Sequence, residues 1–192
     1  YGSVELEPRG EFVARSFGSF DLTYTAGRYG IDDSGALRVS FRLVGDWGRI
    51  QTSDPKAPNY VSASTTGEAK LILDVGRSPR PRNKCLDIRV TGGFLKEGDT
   101  IRIVFGDTSQ GAPGFLLQTF AETAFEFKVS VDPCATGHLI PLNIPLEIAV
   151  VPGDPFVWKA VLPSLRRTNE NFRLGIKAED IWGNPTHKAD GK

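Results

Sequence analysis

Residues 19–25 read S-F-D-L-T-Y-T and residues 36–44 read A-L-R-V-S-F-R-L-V. In the first, Phe20, Leu22 and Tyr24 fall on one side of an extended chain, with Ser19, Asp21, Thr23 and Thr25 on the other. In the second, Leu37, Val39, Phe41 and Leu43 share a side. Side chains alternate across a strand, so hydrophobicity of period two describes a strand with one face in a core and one in water. Between the two lies Asp32-Asp33-Ser34-Gly35, residues that favour a turn. The two inward sets read as complementary faces of one core.

The same reading extends along the chain. Strands are expected at 59–63, 69–75, 85–90, 100–105 and 120–131, and again at 146–151, 156–162 and 171–179. In 85–90 either Cys85 or Leu86 sets the inward phase. The 21 glycines and 13 prolines punctuate these runs, and no long stripe of period 3.6 calls for a core helix. The expected fold class is therefore all-β: an antiparallel immunoglobulin-like β-sandwich followed by a second, partial or small β-sandwich unit. The sandwich is expected over residues 1–136, a linker over 137–145, and the second unit over 146–192. Three strands fall short of the about seven of a free-standing immunoglobulin-like sandwich. The second unit is then incomplete or finishes itself against the first, and an unpaired strand edge on it would favour a homo-oligomer formed by sheet-edge pairing.

Lys plus Arg and Asp plus Glu balance at 23 each over 192 residues, so no net field draws the chain to nucleic acid or to an acidic membrane surface. No apolar run approaches the roughly 18 residues of a membrane-spanning helix, and the chain reads as soluble with no compartment assigned. It starts at Tyr1 with no signal-like segment and lacks methionine, which points to a processed or excised segment. Cys85 and Cys134 suit neither a zinc site nor a disulfide scaffold; they are one bridge or, more plainly, two free thiols.

Few residues have the makings of a reactive centre. The histidines are His138, in the expected linker, and His187, in the tail, and both read as solvated. Gly18-Ser19-Phe20 lacks the second glycine of a nucleophile elbow and precedes a strand rather than a helix. No catalytic residue and no resident cofactor is expected. Asp32, Asp33, Asp46, Asp99 and Asp107 are loop acids of the type calcium takes, yet none keeps EF-hand spacing and all suit ordinary turns. Should a structural calcium bind, Asp32 and Asp33 are the expected ligands. The loop 106–114, G-D-T-S-Q-G-A-P-G, has the glycines of an anion nest without a closing lysine, and reads as a tight connection. Tyr60, Trp47, Trp158 and Trp182 are the aromatic side chains on which a sugar ring could stack. Trp47, between Gly45 and Gly48, is expected to be exposed, whereas Trp158 and Trp182 read as core. Trp47, Tyr60 and Asp107 are thus the candidate ligand-binding residues of a carbohydrate- or small-ligand-binding module. The run 77–84, with Arg77, Arg80, Arg82 and Lys84, reads as an exposed basic loop without the interleaved aromatics of a nucleic-acid site.

Two resemblances extend this reading. Pro152-Gly153-Asp154-Pro155, Leu162-Pro163-Ser164, residues 172–180 and Trp182-Gly183-Asn184-Pro185 resemble the opening half of invasin-type bacterial immunoglobulin-like repeats. Residues 4–8 (V-E-L-E-P), 23–27 (T-Y-T-A-G), 30–35 (G-I-D-D-S-G), 105–114 (F-G-D-T-S-Q-G-A-P-G) and 118–120 (Q-T-F) resemble the leading sandwich region of bacterial uncharacterised proteins. Those proteins carry a C-terminal PHP-type, polymerase and histidinol phosphatase-like, metallohydrolase domain. That resemblance implies a cluster of His, Asp and Glu metal ligands in a domain following this chain, and none of those ligands maps onto a position here. The expected role is a non-catalytic structural or accessory region that scaffolds or positions a neighbouring domain of the same polypeptide.

Overall fold

The computed structural model describes every residue except Leu43, Ser78, Pro79, Pro81 and 189–192, and of Asn83 only the backbone. The inward placement expected for Leu43 lies outside the described residues. Among the described residues there are strands and no helices, and hence no helix long and apolar enough to cross a membrane. The fold class is the all-β one expected from period two.

Two sheets form the sandwich. The first has four strands in the order β1 (Gly2–Glu7), β4 (Phe20–Ala26), β9 (Thr100–Phe105) and β6 (Val61–Thr65). The second has five, in the order β13 (Ile140–Pro141), β12 (Lys128–Asp132), β5 (Ala36–Arg42), β8 (Arg82–Thr91) and β7 (Lys70–Arg77). Every pair in both sheets is antiparallel. The alternation reads out directly: Phe20, Leu22 and Tyr24 from β4 and Leu37, Val39 and Phe41 from β5 are all buried. They meet Ile101, Ile103 and Phe105 of β9 and Leu86, Ile88 and Val90 of β8 in one core. The inward phase of β8 is therefore the one set by Leu86.

Aromatic rings join the two layers. Phe41 of the five-stranded sheet meets Phe105 of the four-stranded sheet edge-on, with ring centroids 5.6 Å apart, and Phe20 lies 5.7 Å from Phe127. Such pairs add about 0.5–1.5 kcal/mol each beyond the area they bury. Two smaller sheets extend the sandwich: β3 (Phe17–Gly18) pairs with β10 (Phe115–Leu116), and β14 (Glu147–Val151) lies between β11 (Glu122–Glu126) and β2 (Glu11–Val13). The β14 to β2 pairing is parallel.

The structure moves two of the expected boundaries. Residues 146–151, expected to open the second unit, lie in the first: Leu146, Ile148 and Val150 are core residues, and β14 pairs with β11 and β2. Of the expected linker, Ile140 and Pro141 form β13 on the edge of β12. A strand with apolar residues at every second position is drawn to whichever sheet edge can bury them, and the first sandwich offers one. Of the described residues of the basic run 77–84, Arg77 ends β7 and pairs with Lys84 of β8, Arg82 opens β8, and Arg80 lies in a turn. Arg77 and Arg80 are exposed, as a basic loop would have them, whereas Arg82 and Lys84 are engaged. Arg82 makes a 2.5 Å ion pair with Glu126, and the Lys84 ammonium sits 3.9 Å over the Trp47 ring.

Candidate docking site on the C-terminal sheet

Beyond Val151 the chain leaves the sandwich and builds a separate three-stranded antiparallel sheet from β15 (Val157–Val161), β16 (Gly175–Glu179) and β17 (Pro185–Thr186). What fixes it to the sandwich is the turn D-I-W-G-N-P at 180–185. Asp180 is 2 % exposed and accepts four hydrogen bonds. Its Oδ1 takes the N–H groups of Trp182 (2.9 Å) and Asn184 (2.8 Å), and its Oδ2 takes the Gly153 N–H (2.9 Å) and the Asn184 side-chain amide (2.9 Å). Asn184 then reaches across to the sandwich: its Nδ2 donates to the Thr119 carbonyl at 2.8 Å, and its Oδ1 accepts the Ala121 N–H at 2.8 Å.

The sandwich side of this junction is itself braced. The Thr119 N–H and hydroxyl both donate to Asp46, at 2.8 Å each, and the Arg15 guanidinium donates to the Asp46 carbonyl while lying 5.9 Å from the Trp182 ring. Burial alone would raise the Asp180 carboxyl, but the donors from Asn184, Gly153 and Trp182 outweigh it and hold it below the usual aspartate range. Asp46 is held low in the same way by Thr119, with Arg15 adding to the effect. The junction is therefore a chain of satisfied polar groups from Asp46 through Thr119 and Asn184 to Asp180 and Gly153.

The sheet that this junction carries has two unlike faces. Register pairs Trp158 with Ala178 and Ala160 with Ile176, so these four share one face; Val157, Lys159 and Val161 share the other with Glu179, Lys177 and Gly175. On the second face Lys159 and Lys177 both close on the Glu179 carboxylate, at 2.5 and 2.6 Å, and together hold it below its usual range. On the first face only the end nearest the knot is covered, with Ala178 and Thr186 buried. Trp158 is 55 % exposed and Ile176 63 %, and the flanking Leu162, Leu174 and Phe156 are at least half exposed. An amphipathic sheet is thus held out with its apolar face bare, and exposed apolar patches of this kind mark interaction surfaces.

The expected site residues lie elsewhere and do not form one cluster. Trp47 is 4 % exposed, packed 4.8 Å from Phe41 and 5.4 Å from Phe115, so it is a core residue rather than a stacking platform. Its glycine neighbours let the loop turn inward, since a side chain on Gly45 would strike the indole. Trp158 and Trp182, expected in a core, are exposed. Tyr60 and Asp107 do meet, through the Tyr60 carbonyl that accepts the N–H groups of Gly106 and Asp107. The Asp107 carboxylate is engaged locally, taking the Ser62 hydroxyl at 2.5 Å and the Ser109 N–H at 2.9 Å, and these donors offset burial to keep it low. Asp32 and Asp33 occupy an exposed turn, where the Asp32 carbonyl accepts the Gly35 N–H and Asp33 accepts the Gly92 N–H. Among the described residues no three His, Cys, Asp or Glu side chains group as metal ligands. Both cysteines are free, Cys85 buried and Cys134 exposed, and burial pushes the Cys85 thiol up.

A broad hollow lies on the outer face of the four-stranded sheet, among Glu5, Glu7, Arg9, Ser19, Asp21 and Arg102. Arg102 and Asp21 are paired with each other there, and no aromatic side chain lines it. What the sequence reading misses is the joint role of Asp180, Asn184, Thr119 and Asp46: it takes Asp46 only as a loop acid and the other three only as parts of resemblance motifs. One signal was present: an Asp four residues ahead of an Asn, around a glycine, is the pattern of a side chain capping its own turn. Comparison with known proteins finds no family model, curated protein or solved structure that matches this chain.

Proposed function

We propose that this chain is a non-catalytic structural region of a larger bacterial protein, a β-sandwich that scaffolds or positions a neighbouring domain. In the family that its sequence resembles, that domain is a metal-dependent hydrolase. The observation that carries the reading is the anchored, uncovered sheet. The Asp180 and Asn184 side chains fasten one end of β16 and β17 to the sandwich, while Trp158 and Ile176 stand in water on the same sheet. A surface that costs apolar exposure and is nonetheless rigidly presented has the physical character of a fitting for another protein surface.

The test has two readouts. The chain is expected to turn over neither p-nitrophenyl phosphate nor p-nitrophenyl acetate, with or without added manganese or zinc. Limited proteolysis is expected to leave residues 152–188 joined to the sandwich as one resistant body. Turnover that follows the protein through purification would end the non-catalytic reading, and early cleavage between Val151 and β15 would end the fitting.

A second reading has an observation of its own, because Trp158 and Trp182 are exposed at 55 % and 49 % and each offers a ring to a sugar. A carbohydrate-binding module would shift its tryptophan fluorescence saturably on titration with soluble glycans, which the structural reading does not expect.

A further inference from the structure

We propose that the chain self-associates through β7, whose open edge pairs antiparallel with β7 of a second copy about a two-fold axis at Ile72. This moves the edge pairing expected of the C-terminal unit to the sandwich. The edge itself is the first observation. β7 ends the five-stranded sheet, and among the described residues the side of it away from β8 meets no other strand. Its eight residues, K-L-I-L-D-V-G-R, contain no proline and pair with β8 without a bulge. A long, flat edge of this kind is a template for another strand. Leu71, Leu73 and Val75, its core-facing residues, are only partly buried, and Ile72 is 51 % exposed on the other face. On the edge strands β1 and β6, by contrast, Val4, Leu6 and Val61 are buried. The core is left unfinished along β7.

Of the usual means of blunting an edge, β7 has only the charges of Lys70, Asp74 and Arg77, and these select the occupant. A two-fold axis normal to the sheet keeps the cores of both copies on one side, so only residues of the same face oppose each other. Centring the axis on Ile72 sets Lys70 against Asp74 of the copy and Asp74 against its Lys70, with Leu71 against Leu73 on the core face. Centring it on Asp74 would oppose two carboxylates, and centring it on Leu73 would oppose Asp74 to Ile72. Among the described residues neither Lys70 nor Asp74 has an ion pair of its own. Asp74 stands beside Asp87, whose carboxylate is already taken by Arg38, so a cation from the copy answers an unmet charge.

The remaining charges do not oppose the contact. Arg89 lies beside Ile72 on β8, and the Arg89 residues of the two copies stand three strand spacings apart. That is about 14 Å, beyond the screening length of about 8 Å at physiological salt. Arg77 passes the end of the paired stretch, toward the copy's bend at 66–69, where the ionisable residue is Glu68. With 23 cationic and 23 anionic side chains, the chain has no net charge to keep two copies apart.

Sedimentation velocity from low micromolar to several hundred micromolar protein tests this. A reversible monomer–dimer equilibrium is expected. Lys70 and Asp74 are exposed, so reversing either leaves the packing of the monomer untouched while it turns both cross-strand pairs into repulsions. Lys70→Asp and Asp74→Lys are each expected to raise the dimer dissociation constant about tenfold or more, and the two together to restore it to within about threefold. A chain that stays monomeric throughout overturns the proposal. So does a dimer that the single reversals leave unmoved, one that the double reversal fails to restore, or one that Trp158→Asp on the C-terminal sheet breaks instead.

Discussion

At Gly106 a residue's freedom from a side chain decides how closely two stretches of backbone approach. It sits at φ +73°, and a Cβ there would lie 2.1 Å from the Phe115 nitrogen and 2.6 Å from the Gly18 carbonyl. Both neighbours are backbone of the β3–β10 pair, so neither can swing away. Gly111, in the same loop at φ +99°, has nothing within 4 Å of such a Cβ. Gly111→Ala is therefore expected to cost only its conformational strain, about 1 kcal/mol. Gly106→Ala is expected to cost about 3 kcal/mol or more, since β3 and β10 must part to admit the methyl group. Urea denaturation of both variants measures the difference, and equal losses would count against the close approach. The composition of residues 106–114 already pointed to a tight connection rather than an anion nest. Trp47 was not legible in the same way. A single aromatic between two glycines does not say whether its loop turns outward to solvent or inward to Phe41 and Phe115, and the answer depends on rings distant in sequence.

At the level of elements, period two located the strands that carry the core, because burial on one face writes itself into every second residue of β4, β5 and β9. Partner choice is not written there. Nothing local in residues 146–151 says that β14 joins β11 and β2 rather than opening a new unit, and short β3, β10, β13 and β17 have too few residues to show a period at all. The polar knot was also hidden, since Asp180 and Asn184 stand in the sequence only as parts of a repeat-like motif until Thr119 and Ala121 are seen beside them. Asn184→Ala strands the Thr119 carbonyl and the Ala121 N–H, which among the described residues have no other partner than the lost side chain, and removes one donor from Asp180. The expected cost is about 2–3 kcal/mol, confined to the junction. Limited proteolysis is then expected to release residues 152–188 early while the sandwich survives intact. Cleavage of the sandwich and the sheet at the same rate would mean that other contacts hold them together.

For the whole molecule, the balanced charge of the sequence conceals a consistent use of its carboxylates. Asp46, Asp107, Asp132 and Asp180 each lose solvation, and each gains enough hydrogen-bond donors to end below the ordinary aspartate range. Glu179, held between Lys159 and Lys177, is lowered too. A carboxyl group whose pKa is lower folded than unfolded binds its proton more weakly in the native state. Its stabilising contribution is therefore present above the unfolded value, about 3.9 for Asp and 4.3 for Glu, and is lost as the pH falls toward the native value. The five act in the same direction, so the urea midpoint is expected to be flat from about pH 7 to 5 and to fall steeply from about pH 4.5 to 3. Asp132 isolates one contribution, since its Oδ1 accepts the Thr136 N–H and hydroxyl and its Oδ2 accepts the Gly137 N–H at 2.6 Å. An amide can accept on only one of its two terminal atoms. Asp132→Asn is accordingly expected to be less stable than the parent at pH 7 and to approach it near pH 3, where the parent's carboxyl is itself protonated. A gap between the two proteins that stays constant with pH would mean that the loss comes from packing and not from charge held by these donors.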